Sequence, residues 1–247
     1  MRGFVMNNPI SNPARTRLII ALDCRNYDVA ASLIARLGES VGTYKIGLEL
    51  LMSGDFFKVV DLLHATHKEI FADIKFFDVP ATVARAVGNL SQWGISFATV
   101  HGNQAMMEAA NQEKGSMRLL AVTALTSLDQ GDLEDLGFTC NIREMVLSRA
   151  RRAIEAGLDG VVASGHEIAE LRKALGTRLM IVTPGIRPIS NQTVDDQKRV
   201  VTAREALEAG ADYLVVGRPV RNALDPAQAA RALLNEITEY FERAKPV

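Results

Sequence analysis

The densest group of chemically active side chains lies between positions 71 and 82, in the segment Phe-Ala-Asp-Ile-Lys-Phe-Phe-Asp-Val-Pro-Ala-Thr. Asp73 and Lys75 are two residues apart, so on a β-strand their side chains face the same side. Asp78 follows in the predicted turn. A lysine beside two carboxylates stays protonated, because opposite charges favour the charged form. The segment therefore predicts a positioned proton donor rather than an amine nucleophile.

The same residues also have a purely structural interpretation. Asp73 and Lys75 would then form an ordinary ion pair, and Asp78 would be the N-cap of a helix that opens at Pro80. Three charged groups at the end of one strand, among apolar neighbours, favour an active site over this alternative.

The elements that would position these groups recur along the whole chain. Short apolar runs alternate with helical patterns, and runs without polar alternation predict strands buried on both faces of a parallel sheet. The predicted strands are Leu18–Leu22, Thr43–Ile46, Glu69–Ile74, Ile95–Val100, Met117–Val122, Gly160–Ala163, Arg178–Val182 and Tyr213–Val216.

Eight strand–helix units predict an α/β protein, a single (β/α)8 TIM barrel whose active site lies at the carboxyl ends of the strands. Residues 1–16 are predicted to be an N-terminal arm and residues 17–247 the barrel domain. An open doubly wound sheet is the alternative, but its G-x-G-x-x-G fingerprint is absent. Two long connections, 123–141 and 185–201, are predicted to be functional loops.

Composition narrows the class of protein further. The 247 residues carry 28 Lys+Arg against 29 Asp+Glu, which argues against nonspecific binding to nucleic acid. Cys24 and Cys140 form no disulfide framework, and no metal-binding motif is present. Without a signal peptide or a long apolar run, we expect a cytoplasmic protein with no membrane contact.

Polar residues that follow the other predicted strands complete a recognisable set. The motif Asp-x-Lys-x-x-Asp-x-Pro-x-Thr resembles the signature of the orotidine 5′-phosphate decarboxylase family. Further matching pieces occur in the family's order and cover about residues 18–230. These pieces are Ala21-Leu-Asp23, Lys45-Ile-Gly47, Val100-His101, Leu125-Thr126-Ser127, Thr183-Pro-Gly-Ile-Arg187-Pro and Val216-Gly217-Arg218-Pro219.

The resemblance implies decarboxylation of orotidine 5′-phosphate to uridine 5′-phosphate, the last step of pyrimidine nucleotide synthesis, with no metal or organic cofactor. Lys75 would protonate C6 of the pyrimidine after CO2 leaves, within a charged network of Lys45, Asp73, Lys75 and Asp78. Asp73 would lie against the substrate carboxylate. Many family members have His at the position of Phe77, a departure that we expect to alter packing only.

The resemblance also assigns the substrate contacts and a partner. Asp23 and Lys45 would bind the ribose hydroxyls, and Thr126 and Ser127 the pyrimidine edge. The remaining implied contacts bind the phosphate: Arg187, Gln197, Gly217 and Arg218. The family implies a homodimer with shared active sites, in which Asp78 and Thr82 come from the neighbouring subunit.

Two other functions remain open on the sequence. One is a metal-dependent sugar-phosphate decarboxylase or aldolase on a similar barrel, although such enzymes have a carboxylate where this chain has Lys45. The other is a nucleotide-binding barrel without catalysis, against which Asp73, Lys75 and Asp78 argue.

Overall fold

The protein is described by a computed structural model covering residues 13–188 and 200–243. Eight parallel strands pair in chain order, and β8 also pairs with β1, so the sheet closes into a barrel. The predicted (β/α)8 barrel is confirmed. The strands are β1 Leu18–Ala21, β2 Thr43–Gly47, β3 Glu69–Phe76, β4 Phe97–His101, β5 Arg118–Val122, β6 Gly160–Val162, β7 Met180–Thr183 and β8 Tyr213–Val216.

Helices cover the outside of the barrel. They are α1 Pro13–Arg17, α2 Tyr27–Leu37, α3 Leu48–Met52, α4 Phe56–Ala65, α5 Pro80–Ser91, α6 Gln104–Glu113, α7 Gln130–Asp135, α8 Ile142–Glu155, α9 Ile168–Leu175, α10 Ala203–Ala209, α11 Arg218–Arg221 and α12 Pro226–Arg243. A 3-10 turn, Gly38–Ser40, follows α2. None of the helices in the described ranges combines the length with the apolar composition that a membrane-spanning segment requires.

The strands are apolar on both faces because each face packs against a separate core. Alternate residues such as Leu18 and Ile20 contact the helices, whereas Ile19 and Ala21 point into the barrel. The interior core holds seven buried residues: Ile19, Ala21, Phe71, Phe97, Leu120, Val182 and Val215. This double burial explains why the sequence shows continuous apolar runs instead of polar alternation.

The predicted N-terminal arm is partly structured. Residues 13–16 belong to α1, and Ala14 is fully buried in the outer core. This part of the predicted arm is therefore packed against the barrel domain. Residues 1–12 lie outside the described residues.

The two long connections differ in what they contain. The first includes α7, which begins with a capping box in which Asp129 and Asp132 each accept a backbone N–H of the other. In the second, Ile186 forms an isolated parallel bridge with Val201, and residues 189–199 lie outside the described residues.

Candidate active site

An open cavity of about 480 Å³ lies at the carboxyl ends of the strands. Closure of the barrel places the end of β1 beside the end of β8, so that residues far apart in sequence line the same cavity. The sequence-predicted residues that line it are Asp23, Lys45, Asp73, Lys75, Arg187, Gly217 and Arg218. The structure therefore brings most of the predicted site together.

Four charged side chains alternate in sign within this cavity. Asp23 Oδ1 accepts a hydrogen bond from Lys45 Nζ at 2.8 Å, and Lys45 Nζ lies 3.3 Å from Asp73 Oδ2. Lys75 Nζ donates to the other carboxylate oxygen of Asp73, Oδ1, at 2.8 Å. Each oxygen of Asp73 therefore faces a different ammonium group.

This arrangement keeps the buried members of the network ionised. Burial by itself raises the pKa of Asp73, but Lys45 and Lys75 outweigh burial, and the net pKa lies below its ordinary value. Burial likewise lowers the pKa of Lys45, whereas Asp73 and Asp23 more than reverse that effect and leave the pKa raised. Asp73 therefore stays a carboxylate, and Lys45 beside it stays an ammonium group, at neutral pH.

The backbone conformation at Lys75 differs from that of a regular strand, which the sequence pattern predicts at this position. In the β3–β4 ladder Ala72 pairs with Ala98, but the next pair is Phe76 with Val100, so β3 contains a bulge. Lys75 lies in this bulge with φ +56°, in the left-handed region that a residue with a Cβ rarely adopts. Asp73 and Lys75 do face the same side, but a strained bulge and not a regular strand puts them there.

The cavity is also lined by three guanidinium groups. Arg187 is buried with 5% of its surface exposed, and Arg218 is the first residue of α11. Arg221 donates a hydrogen bond to the backbone carbonyl oxygen of Asp23. Guanidinium groups bind phosphate oxygens through charge-assisted, often bidentate hydrogen bonds, so this part of the cavity suits a phosphate.

Two predicted residues, Asp78 and Thr82, do not line the cavity within the single chain. Asp78 is exposed, and its carboxylate accepts a hydrogen bond from the backbone N–H of Val79 at 2.6 Å. Thr82 is half-buried in the first turn of α5, where its hydroxyl accepts from Arg85 at 3.4 Å.

Three further predicted contacts are not placed at the cavity. Thr126 is half-buried and Ser127 exposed in the β5–α7 connection, and neither lines the cavity. Gln197 lies outside the described residues. The roles of these three residues stay predictions.

Sequence reasoning missed three residues of the site. Arg221 and Glu49 line the cavity, and the hydroxyl of Thr99 donates to Asp73 Oδ1 at 3.1 Å. Arg221 could have been found, because it lies one helical turn after Arg218. Thr99 could also have been found, since it shares a strand face with His101.

His101 lies at the end of β4 against the ring of Phe77, at 4.8 Å between ring centroids. Burial lowers the pKa of His101, and the positive charges of Arg149 and Lys75 lower it further. The imidazole is therefore neutral near pH 7, which suits a packing role beside the exposed Phe77.

The described residues were also compared with the ligand groups that bind metal ions. The described part of the chain contains no group of three or more His, Cys, Asp or Glu side chains that could hold a metal ion.

The lowered pKa of Asp73 predicts a pH-dependent contribution to stability. A carboxylate whose folded pKa is depressed stabilises the protein above its unfolded pKa, and the stabilisation is lost as the pH falls through the folded value. We expect the difference in unfolding free energy between wild type and Asp73→Asn to be largest near neutral pH and to shrink below about pH 4. Urea unfolding at a series of pH values measures it.

The control for this pH series is Asp61→Asn, which changes an exposed carboxylate on α4. Its difference from wild type should stay near zero throughout. A constant difference for Asp73→Asn across the acid range would contradict the depressed pKa.

A closed barrel with an alternating lysine–carboxylate network and an arginine-lined cavity at its carboxyl ends defines the protein as a (β/α)8-barrel enzyme. The model of the orotidine 5′-phosphate decarboxylase / HUMPS family matches residues 16–233. The chain belongs to this family, which confirms the resemblance seen in the sequence.

Similar proteins agree with this assignment. The orotidine 5′-phosphate decarboxylase of Methylococcus capsulatus is 57% identical over 241 residues, covering 98% of this chain and 99% of the relative. The enzyme of the same name from Xanthomonas campestris is 51% identical, with 93% and 95% covered. A crystal structure of orotidine 5′-phosphate decarboxylase from Lactobacillus acidophilus superposes with a TM-score of 0.79 at 33% identity, covering 90% of this chain and 99% of that one. The chain is accordingly an enzyme of the carboxy-lyase class.

Proposed function

We propose that the protein converts orotidine 5′-phosphate to uridine 5′-phosphate and CO2 without a metal or organic cofactor, in pyrimidine nucleotide synthesis. The proposal rests above all on Lys75, whose ammonium group is held at 2.8 Å from the half-buried carboxylate of Asp73 in the cavity at the barrel mouth. The similarity to enzymes named for this reaction supports the choice of substrate.

The chemistry needs a fixed positive charge and a proton at one carbon. When the bond between C6 and the carboxylate breaks, CO2 leaves and the electron pair stays on C6 as a vinyl carbanion. A preorganised ammonium group stabilises that charge as it develops. Lys75 then gives one proton from Nζ to C6, and the resulting neutral amine regains a proton from solvent.

The neighbours of Lys75 keep it in this role. Asp73 opposes an approaching substrate carboxylate, and that repulsion falls when neutral CO2 forms. Lys45 counters the charge of Asp73 from the other side at 3.3 Å, so the carboxylate stays ionised. Asp23 and Lys45 offer an acceptor and a donor to ribose hydroxyls, and Arg187, Arg218 and Gly217 bind the phosphate.

A second copy of the chain completes the site in this proposal. Four large apolar residues near the barrel mouth are exposed in the single chain: Leu48, Met52, Phe77 and Val79. Phe77 and Val79 flank Asp78 directly, so burial of these apolar side chains against a partner would carry Asp78 and Thr82 into the partner's site. Large apolar side chains left exposed at one end of the barrel are typical of an interaction surface.

The direct test is the loss of orotidine 5′-phosphate, followed in the ultraviolet, on adding the purified protein, with and without a chelator. We expect equal turnover in both samples. Turnover that the chelator abolishes, or turnover of a sugar phosphate instead, would favour the metal-dependent alternative. Binding of uridine 5′-phosphate without any release of CO2 would favour a binding protein without catalysis.

Arg218→Ala is expected to weaken substrate binding more than it slows chemistry. Loss of charge-assisted hydrogen bonds to the phosphate costs about 1.5–3 kcal/mol each, or roughly a 10- to 150-fold rise in KM. Steady-state kinetics with orotidine 5′-phosphate and with orotidine, which lacks the phosphate, measures the effect.

The control for this prediction is Arg178→Ala, an arginine after α9 that lies away from the barrel mouth. It should leave KM unchanged. If Arg218→Ala impaired turnover of orotidine as much as turnover of the phosphorylated substrate, the phosphate role would be wrong.

A further inference from the structure

The β3–β4 bulge removes regular backbone pairing at the residues that carry the charge network. Between the pairs Ala72–Ala98 and Phe76–Val100, β3 has three residues, 73–75, whereas β4 has only Thr99. The backbone N–H of Lys75 therefore has no regular place in the ladder. A buried N–H without a partner is costly, so something else must accept its hydrogen bond.

The side chain of Thr99 supplies that acceptor. Its Oγ1 accepts the backbone N–H of Lys75 at 2.9 Å and donates its own hydrogen to Asp73 Oδ1 at 3.1 Å. The same Oδ1 receives the ammonium group of Lys75 at 2.8 Å. Thr99 is fully buried, so its hydroxyl is shielded from bulk solvent.

These contacts form a closed loop. The hydroxyl of Thr99 is fixed to the backbone of Lys75 and to the carboxylate of Asp73, and that carboxylate is fixed to the ammonium group of Lys75. We propose that Thr99 is a positioning residue that holds the left-handed backbone of Lys75 and the carboxylate of Asp73 in the geometry that the reaction needs. The inference rests on the proposed function, because it concerns the same proton donor.

Other buried threonines show that a strand threonine does not need such contacts. Thr43 on β2 and Thr183 on β7 are fully buried, and their hydroxyl oxygens have no hydrogen-bond partner among the described residues. The hydroxyl of Thr99 differs from both, since it bonds to the backbone of the proton donor and to the carboxylate beside it.

The test compares variants that separate the hydroxyl from the volume of the side chain. Thr99→Val keeps the shape and removes the hydroxyl. Thr99→Ser keeps the hydroxyl and loses the methyl group. Thr99→Ala loses both, so the Ser and Ala variants differ only in the hydroxyl. Thr43→Val is the matched control, because it removes an unpartnered hydroxyl from a buried strand position. Each purified variant is assayed with orotidine 5′-phosphate beside wild type, and its thermal unfolding is recorded.

We expect Thr99→Val and Thr99→Ala to lower kcat by about 10- to 100-fold, the effect of losing one hydrogen bond to a charged group, without a matching rise in KM. Thr99→Ser and Thr43→Val should keep a kcat near the wild-type value. A role in folding alone would lower thermal stability but would leave the kcat of the folded enzyme unchanged.

Three outcomes would overturn the inference. If Thr99→Val and Thr99→Ala both keep wild-type kcat, Thr99 positions nothing that matters for the reaction. If Thr99→Ser loses as much kcat as Thr99→Ala, the methyl group and not the hydroxyl is important. In both of these cases the wild type is active, so the proposed function stands. The third outcome is a wild type that releases no CO2, which overturns both the proposed function and the role of Thr99. If Thr99→Val does not fold, the comparison of kcat between Thr99→Ser and Thr99→Ala tests the role of the hydroxyl.

Discussion

Lys75→Ala is expected to lower kcat on orotidine 5′-phosphate by at least about 10³-fold, because both a proton donor and a fixed charge beside the developing carbanion are lost. The fold should survive. Asp73 keeps Lys45 at 3.3 Å and the hydroxyl of Thr99 at 3.1 Å, so its buried carboxylate is not left without partners. Single-turnover measurement of CO2 release gives the rate, and thermal unfolding reports the fold.

The control for Lys75→Ala is Lys58→Ala, which removes an exposed ammonium group on α4 that pairs with Asp55, the residue before the helix. An ion pair whose ammonium group is open to solvent contributes little, so its kcat and its unfolding temperature should stay near wild type. A Lys75→Ala enzyme that kept more than about a hundredth of the wild-type kcat would remove Lys75 as proton donor, since general acids contribute 10²- to 10⁴-fold.

Mixing two inactive variants is expected to restore activity if the sites are shared between subunits. Asp78→Asn and Lys75→Ala should each be nearly inactive alone. In a dimer that contains one of each, one site combines the native Lys75 of the first subunit with the native Asp78 of the second. Random reassembly should therefore recover up to about a quarter of wild-type activity, since half of the dimers each carry one intact site.

The recovery is followed by unfolding and refolding the two variants together, with each variant refolded alone as the control. Analytical ultracentrifugation of the wild type reports the oligomeric state directly. A monomeric wild type, or a mixture no more active than its components, would show that Asp78 does not act in the neighbouring site. The exposed carboxylate of Asp78, which bonds only to Val79 in the described part of the chain, would then be a local turn feature.

The strand order and most of the site followed from the sequence because both depend on local patterns. Runs such as Tyr213–Val216 are apolar on both faces, and a closed parallel barrel is the architecture that buries eight of them. In that architecture, the residues after each strand meet at one mouth. Asp23, Lys45 and Arg218 could therefore be assigned to one cavity before any coordinates were known.

The boundaries of some elements did not follow in the same way. The predicted third strand ended at Ile74, whereas β3 continues to Phe76 through the bulge. The bulge depends on how β3 meets β4, and no local pattern in β3 reports that neighbour. The helix that begins at Pro13 was likewise missed, because it forms contacts with parts of the chain far away in sequence, α12 among them, and its fully buried Ala14 belongs to the outer core.

Residue types and their spacing were enough to identify the family, the barrel and the charged residues of the mouth, because these features follow from local sequence patterns. The folded barrel sets how these charges are arranged, with Asp73 facing Lys45 through one oxygen and Lys75 through the other. The folded barrel also gives Lys75 its left-handed backbone conformation, in which the backbone N–H donates to the hydroxyl of Thr99. The physical reason is that a hydrogen bond between strands depends on register, and register is set by the packing of the whole barrel rather than by either strand alone.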